Sequence, residues 1–351
     1  MRNGGRNKIK LLKLYEMLMK ETDADHHLTT NQICDRLNAM DIPCDRRTLT
    51  DDIETLINNG YEVKKDKVRN TNKYWTVERP FEKGELRVLA DGVRAARFIP
   101  KKITDYFIER IGDLGGRAFA KELEEGLVDY QPAKHTNMTA VYALDDLHQA
   151  ILDNDYVTFR YFDLDHRAER RYRLDENGRE KVYEVEPVGL IYNSDFYYLR
   201  AYAPYAEEFR NYRVDRMADV KVDPYRKISL RAKAERCNLP IFNKEAFRMF
   251  DGRPRSLTLE FPESDCNAIF DIFGEDVHTS IHPAPTSEHE PGEEPKYRLR
   301  VEVRPSPVFY SWLVQYGGRI RIVEALHDDG DEIRQEFRAL LEQLLGTLQQ
   351  A

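Results

Sequence analysis

From Tyr156 onward the apolar residues abandon a helical period of about 3.6 for a period of two. They hold it through five short runs: YVTFRYFD, RRYRL, KVYEVEPVGLIY, FYYLRAYA and FRNYRVDRMADVKV. Short, closely spaced strands bury their inner faces most economically by curling on themselves, so a small β-barrel of the Sm or SH3 type is predicted. The preceding TAVYALDDLHQAILDN reads as a helix leading into it.

The rest of the chain is organised around that barrel. At 351 residues it is long enough for two or three units. The first stretch reads helix, helix, helix, hairpin. Ile9, Leu12, Tyr15, Leu18 and Met19 recur at helical spacing, LTTNQICDRLNAM offers Thr30 as an N-cap, and DRRTLTDDIETLINNG starts on Asp45 and stops at Gly60. The basic hairpin that follows, YEVKKDKVRNTNKYWTV, is placed as a wing. Residues 81–131 read as amphipathic helices broken at Pro100 and at Gly115–Gly116. Beyond a mixed stretch, SLTLEF, SDCNAIFDIF, DVHTSIH, KYRLRVEV, PVFYSWLVQY and RIRIVEA spell strand, helix, strand, strand, helix, strand, with DEIRQEFRALLEQLLGTL as a last helix.

The expected fold class is multidomain α+β: an N-terminal winged helix-turn-helix, a helical connector, a small Sm/SH3-like β-barrel and a C-terminal ferredoxin-like domain. Its boundaries are placed at 1–79, 80–137, 138–228, 229–254 (a linker) and 255–351.

Composition narrows the function. No apolar run approaches the roughly 20 residues of a membrane span, and the basic N-terminus lacks a signal-peptide pattern, so a cytoplasmic protein with no membrane partner is expected. Cys34, Cys44, Cys237 and Cys266 have no CxxC spacing and read as reduced packing residues. His278, His282 and His289 surround the loop-like PAPTSEHEPGEEP, and neither a metal nor a cofactor is expected. There is no Walker loop, GxGxxG, GxSxG or HExxH, so no catalytic residue is assigned and the chain is not expected to be an enzyme. A net charge of −8 argues against non-specific coating of nucleic acid. Residues 1–80, however, carry 15 Lys and Arg against 13 Asp and Glu, so DNA contact is expected to be concentrated there.

With Leu49, Ile53, Leu56 and Ile57 as the buried stripe of the third helix, Arg47, Thr48, Asp51, Glu54 and Asn58 point outward. The start of such a helix enters the major groove, where Arg47 suits a guanine edge, Thr48 a phosphate or base, and Asp51 a cytosine amine. Arg46 suits a phosphate. Lys64, Lys65, Lys67, Arg69 and Lys73 of the wing would supply sequence-independent, salt-dependent affinity. A solvated basic loop on an unrelated helical domain is the plainer alternative.

In the barrel, alternation puts Phe196, Tyr198, Arg200 and Tyr202 on one face and Tyr197, Leu199 and Ala201 on the other, which is the better core. Arg210, Tyr212, Val214 and Arg216 share a face of the next strand, opposite Asn211, Arg213 and Asp215. Tyr198, Arg200, Arg210, Tyr212, Arg213 and Arg216 are therefore candidate ligand residues for an anionic, stackable molecule. The alternative is that the aromatics only pack across strands while Asp215 pairs with one of the arginines.

Several of these motifs resemble the WYL-domain transcriptional regulators of bacteria, from about residue 8 to 345. DRRTLTDDIETL is similar to the family's recognition-helix start. Tyr197-Tyr198-Leu199 stands for Trp-Tyr-Leu after EPVGLIY, and RNYRVDRM is close to R-x-F-R-x-D-R. Tyr197 replaces the eponymous Trp, and Asp51 stands where Arg is common, so the family's DNA contact there does not carry over. The resemblance implies a homodimer on double-stranded promoter DNA, with an anionic nucleic-acid or nucleotide effector sensed at Tyr198, Arg210, Arg213 and Arg216. Phage defence and the DNA-damage response are common settings for the family. An RNA- or protein-binding adaptor without promoter specificity is the alternative function.

Overall fold

Hydrophobic stripes at helical spacing and alternating strands partition the chain into two units, Met1–Met138 and Thr139–Ala351. The structure is a computed structural model. It describes residues 3–125, 133–246, 249, 252–285, 294–325 and 329–349.

The first unit begins with α1 (Asn3–Glu21), β1 (Leu28–Thr29), α2 (Thr30–Ala39), α3 (Arg46–Asn58), β2 (Val63–Val68) and β3 (Thr71–Thr76). Leu14 and Leu18 of α1, Ile33 and Leu37 of α2 and Leu49 and Ile53 of α3 converge on Val63 and Tyr74 of the hairpin. Each of these leucines is fully buried, a gain of about 1.5–3 kcal/mol over leaving it exposed. Asp45 caps α3 by accepting the backbone N–H of Arg47 and Thr48, both at 2.9 Å. The N-cap of α2 is Thr29 rather than Thr30. The Thr-x-x-Gln spacing of a capping box falls on Thr29 and Gln32, and each side chain satisfies the other's backbone. Thr29 also ends a short strand that adds a third to the hairpin, with Leu28 opposite Tyr74.

Lys10 links α1 to α3 from inside. It is 6% exposed, its ammonium lies 2.6 Å from Asp52, and it donates to the Thr48 hydroxyl at 3.0 Å.

Helices α4 (Lys83–Ala95), α5 (Lys101–Gly115) and α6 (Arg117–Glu125) complete this unit around Leu86, Ala90, Phe119 and Leu123. Pro100 starts α5, and Gly116 at φ 89° turns the chain into α6. At Gly115 a Cβ would stand 2.2 Å from the Phe119 ring and 3.0 Å from Leu86, so only glycine allows this approach. The end of the stretch read as helical to residue 131 lies outside the described residues.

The second unit opens with α7 (Ala140–Asp153), then β4 (Asp155–Leu164), β5 (Arg170–Tyr172), β6 (Val182–Asn193), β7 (Phe196–Ala203), β8 (Glu208–Arg213), a 3-10 turn (Val214–Arg216) and β9 (Met217–Lys227). The strands are antiparallel in the order β5-β4-β6-β7-β8, and β9 also pairs with β4. Leu199, Ala201 and Ala203 point inward with Val157, Phe159 and Val185, and Leu147 of α7 closes that core. Phe159 stacks on Tyr183 with centroids 5.5 Å apart.

Residues 229–254, expected as a linker, contain α8 (Leu230–Glu235) and α9 (Leu239–Glu245), and these lie on the sheet's other face. Ala232 packs on Val188, while Leu239 and Phe242 pack beside Ile191 and Tyr198.

The last elements are β10 (Arg255–Pro262), α10 (Cys266–Phe273), β11 (Ile281–Pro283), β12 (Lys296–Val303), α11 (Pro307–Gln315), β13 (Arg321–Ala325) and α12 (Asp329–Gln349). Their sheet is antiparallel in the order β11-β12-β10-β13. Leu257, Leu259 and Phe261 of β10 alternate into a core with Phe309, Leu313 and Ile333. Among the described residues no helix is long and apolar enough to cross a membrane, and no group of three or more His, Cys, Asp or Glu could hold a metal ion. His289 lies outside the described residues.

Candidate functional site

Two surfaces carry the residues singled out from sequence. On α3, Arg47 is exposed and its guanidinium meets no partner among the described residues, while Asp51 is exposed beside it. Arg46 donates to Asn31 at 3.1 Å. Thr48 is committed to the helix cap, since its hydroxyl accepts from Asp45 N–H at 3.3 Å and from Lys10.

The hairpin cations do not share one face. Strand alternation places Lys65 and Lys67 on the side of buried Val63, and Lys64 with its partner Trp75 on the other. Lys65 is held in an ion pair by Glu54 of α3. Lys73, opposite Asp66, is half-buried. Arg69 sits at the tip with a left-handed φ of 56°.

The second surface is a cavity of about 1020 Å³ along the edge strand β8. All six candidate ligand residues, Tyr198, Arg200, Arg210, Tyr212, Arg213 and Arg216, line it. So do Arg173, Arg231, Arg253 and Arg304, which sequence reading missed. Glu207 and Glu208 lie on the same walls, Asp215 and Glu235 each hold one arginine and Asp163 holds two, so among the described residues eight guanidiniums meet five carboxylates.

The arginines are not equivalent. Arg213 is fixed from two sides: Asp215 accepts from its Nε at 3.1 Å and its Nη2 at 2.7 Å, and the Phe196 ring lies 3.6 Å from its guanidinium carbon. Burial opposes its charge, but the bonds to Asp215 outweigh that and raise its pKa. Arg200 is 4% exposed, bonded to Glu235 at 3.1 Å and set 4.1 Å from the Phe242 ring centroid. It thus shares the expected face with Tyr198, but that face is covered by α8 and α9. Arg210 pairs with Glu208 and donates to Tyr205 at 3.2 Å.

Asp163 serves two cations. Arg173 binds it with Nε at 2.9 Å and Nη2 at 3.3 Å, and Arg216 with Nη1 at 3.3 Å. Arg173, then Arg216, holds the Asp163 carboxyl below the usual carboxylate range. The Arg216 Nε is buried with no hydrogen-bond partner among the described residues. Arg231 stacks 4.7 Å over Tyr202 and donates to its hydroxyl at 3.2 Å. Aromatic faces and guanidinium forks therefore alternate along one groove, a lining that favours an anion with flat groups. Burial and the Tyr205 hydroxyl 2.9 Å away push the Tyr212 phenol up, so it remains a neutral hydrogen-bonding group at every physiological pH.

The local mark on Arg173 is its place in RRYRL, a run that reads as a strand and that sets Arg171 opposite Asp163. Arg231, Arg253 and Arg304 carried no such signal.

Residues 142–222 match the WYL domain, a segment running from α7 into β9. Among solved structures, the chain is similar to Proteasome accessory factor B/C (PafBC) of Arthrobacter aurescens, at 19% identity and a TM-score of 0.27. That match covers 95% of this chain and 48% of the other, so the chain spans about half the length of that protein. No curated protein matches it.

Removing the shared carboxylate tests the electrostatics of this groove. Asp163 is 45% exposed, so Asp163→Asn leaves stability within about 1 kcal/mol. Two guanidiniums lose their acid, so whatever affinity the groove has for a single-stranded oligonucleotide is expected to rise about tenfold at low salt, with a steeper salt dependence. Fluorescence anisotropy between 50 and 200 mM salt is expected to show both effects, roughly the range over which phosphate contacts dominate.

Proposed function

We propose that this protein is a sequence-specific, DNA-binding transcriptional regulator whose WYL barrel senses an anionic nucleic-acid fragment or nucleotide, without a catalytic step of its own. The observation that carries this reading is the arginine groove, in which positive charge exceeds negative beside Tyr198 and Phe209. A volume of about 1020 Å³ is at the upper end for a small-molecule site and suits more than a single nucleotide.

Further support comes from topology. The order β9-β4-β6-β7-β8, with a 3-10 turn before the last strand, is the fifth-first-second-third-fourth order expected of an Sm/SH3-like barrel. The order β11-β12-β10-β13 is the second-third-first-fourth order expected of a ferredoxin-like domain. The exposed Arg47 on a well-capped α3, next to a basic hairpin, supports reading the first unit as a winged helix-turn-helix on duplex DNA. In this reading the protein acts as a homodimer on a two-fold promoter site, and α4 to α6 relay the state of the barrel.

The test is binding of the chain to its own upstream duplex and to random duplex at moderate salt. A preference for the former is expected, and equal affinity for both would favour the adaptor reading and end this one. Arg47→Ala is expected to cost about 1–3 kcal/mol on the preferred site only, whereas Lys67→Ala weakens all duplexes alike and lowers the salt slope by about one.

A further inference from the structure

Two thiols that the proposed function leaves unused face each other inside the first unit. Cys34 lies in the middle of α2 and is 8% exposed, while Cys44 is half-buried and directly precedes Asp45, the N-cap of α3. Their sulfurs are 3.4 Å apart. Cys44 is pinned to α2 through its backbone: the Asn38 side chain accepts its N–H at 2.9 Å and donates to its carbonyl at 3.0 Å. The juxtaposition is therefore built into the turn between the two helices. A disulfide requires an S–S distance of about 2.05 Å, so a small movement of Cys44 toward α2 closes the pair.

We propose that Cys34 and Cys44 form an oxidisable dithiol site, closed to a disulfide by a hydroperoxide, which couples redox state to the first turn of α3. The Cys44 thiolate attacks one peroxide oxygen and breaks the O–O bond, keeping that oxygen as a sulfenic acid, and the hydroxide that leaves takes up the proton Cys44 gave up and becomes water. The Cys34 thiolate then displaces the sulfenic hydroxyl, which leaves as a second water with the proton Cys34 gave up. Two thiols and one peroxide thus become one disulfide and two waters. Closure pulls on Asp45, whose carboxylate holds the Arg47 and Thr48 amides.

The charged groups around the pair are Lys10 of α1, and Asp45 and Asp52 at and on α3. Burial, with the Cys34 thiol adding to it, pushes the Cys44 thiol up to about 12, against the pull of Lys10. The resting pair is thus protected at neutral pH, and oxidation accelerates about tenfold for each pH unit, in step with the thiolate fraction.

The experiment uses the full chain carrying Cys237→Ser and Cys266→Ser, which leaves only this pair, treated with hydrogen peroxide at mildly alkaline pH. Both thiols are expected to disappear, with a mass lower by two hydrogen atoms, a peptide linking residues 34 and 44, and reversal by dithiothreitol. Thiols that stay titratable, or a sulfinic acid on Cys44 alone, overturn the site. Amide exchange at Arg47 and Thr48 is expected to change about five- to tenfold on oxidation, the scale of one N-cap hydrogen bond. Unchanged exchange in a verified disulfide overturns the coupling. Adding Cys44→Ser abolishes the linked peptide. Any effect on duplex affinity rests on α3 being the DNA-contacting helix, but the thiol and exchange readouts do not. A reduced chain that fails to bind DNA therefore counts against the proposed function alone.

Discussion

Replacing Lys10 with Ala lowers the stability of the first unit by about 3–5 kcal/mol, because it leaves the Asp52 carboxylate without its cation beneath α3. The chain's two tryptophans make this measurable, since Trp75 reports the first unit and Trp312 the second. Urea unfolding followed by Trp75 fluorescence in a Trp312→Phe background is expected to show the loss. The same interaction sets a pH dependence. Burial alone would depress the Lys10 pKa, but the hydrogen bond and charge of Asp52 outweigh it and raise the pKa. Its contribution is therefore complete below the unfolded lysine value of about 10.4 and disappears as pH rises through the higher folded value.

Asp215→Ala is the second large effect. Asp215 is 1% exposed and its two oxygens hold the Nε and Nη2 of Arg213. Deleting it leaves a half-buried guanidinium uncompensated, at a cost of about 3–5 kcal/mol. Unfolding followed by Trp312 in a Trp75→Phe background should register it, with the Trp75 transition unmoved in the complementary variant. Arg213→Ala in the same protein should recover part of the loss, because the stranded charge is then gone. No recovery would mean that Asp215 stabilises the turn through its other contacts.

The contrast between these residues shows what sequence could carry. Leu199 and Ala201 were legible as core because strand alternation is local and has a fixed period of two. The Asp45 cap was legible for the same reason, being a signal confined to one helical turn. Thr30 was off by one position because two adjacent threonines compete, and the deciding partner, Gln32, lies three residues beyond the true cap. Arg200 was harder. Its partner Glu235 lies 35 residues away on a helix of six residues, too short to show a periodic stripe. Arg231, Arg253 and Arg304 were out of reach for that reason too, since nothing local marks a side chain that turns toward a strand formed earlier in the chain. The pairing of Asp215 with an arginine was one of the alternatives open from sequence, and Arg213 is the one it holds.

The helices α8 and α9 carry a wider implication. The match to the WYL domain ends at residue 222, yet Val188, Ile191 and Tyr198 pack against Ile228, Ala232, Leu239 and Phe242, all of them C-terminal to that boundary. The matched segment and the cooperative one therefore have different lengths. Exchanging residues 142–222 between relatives would transplant a sheet without its outer wall, whereas a graft extending through Met249 would carry its own.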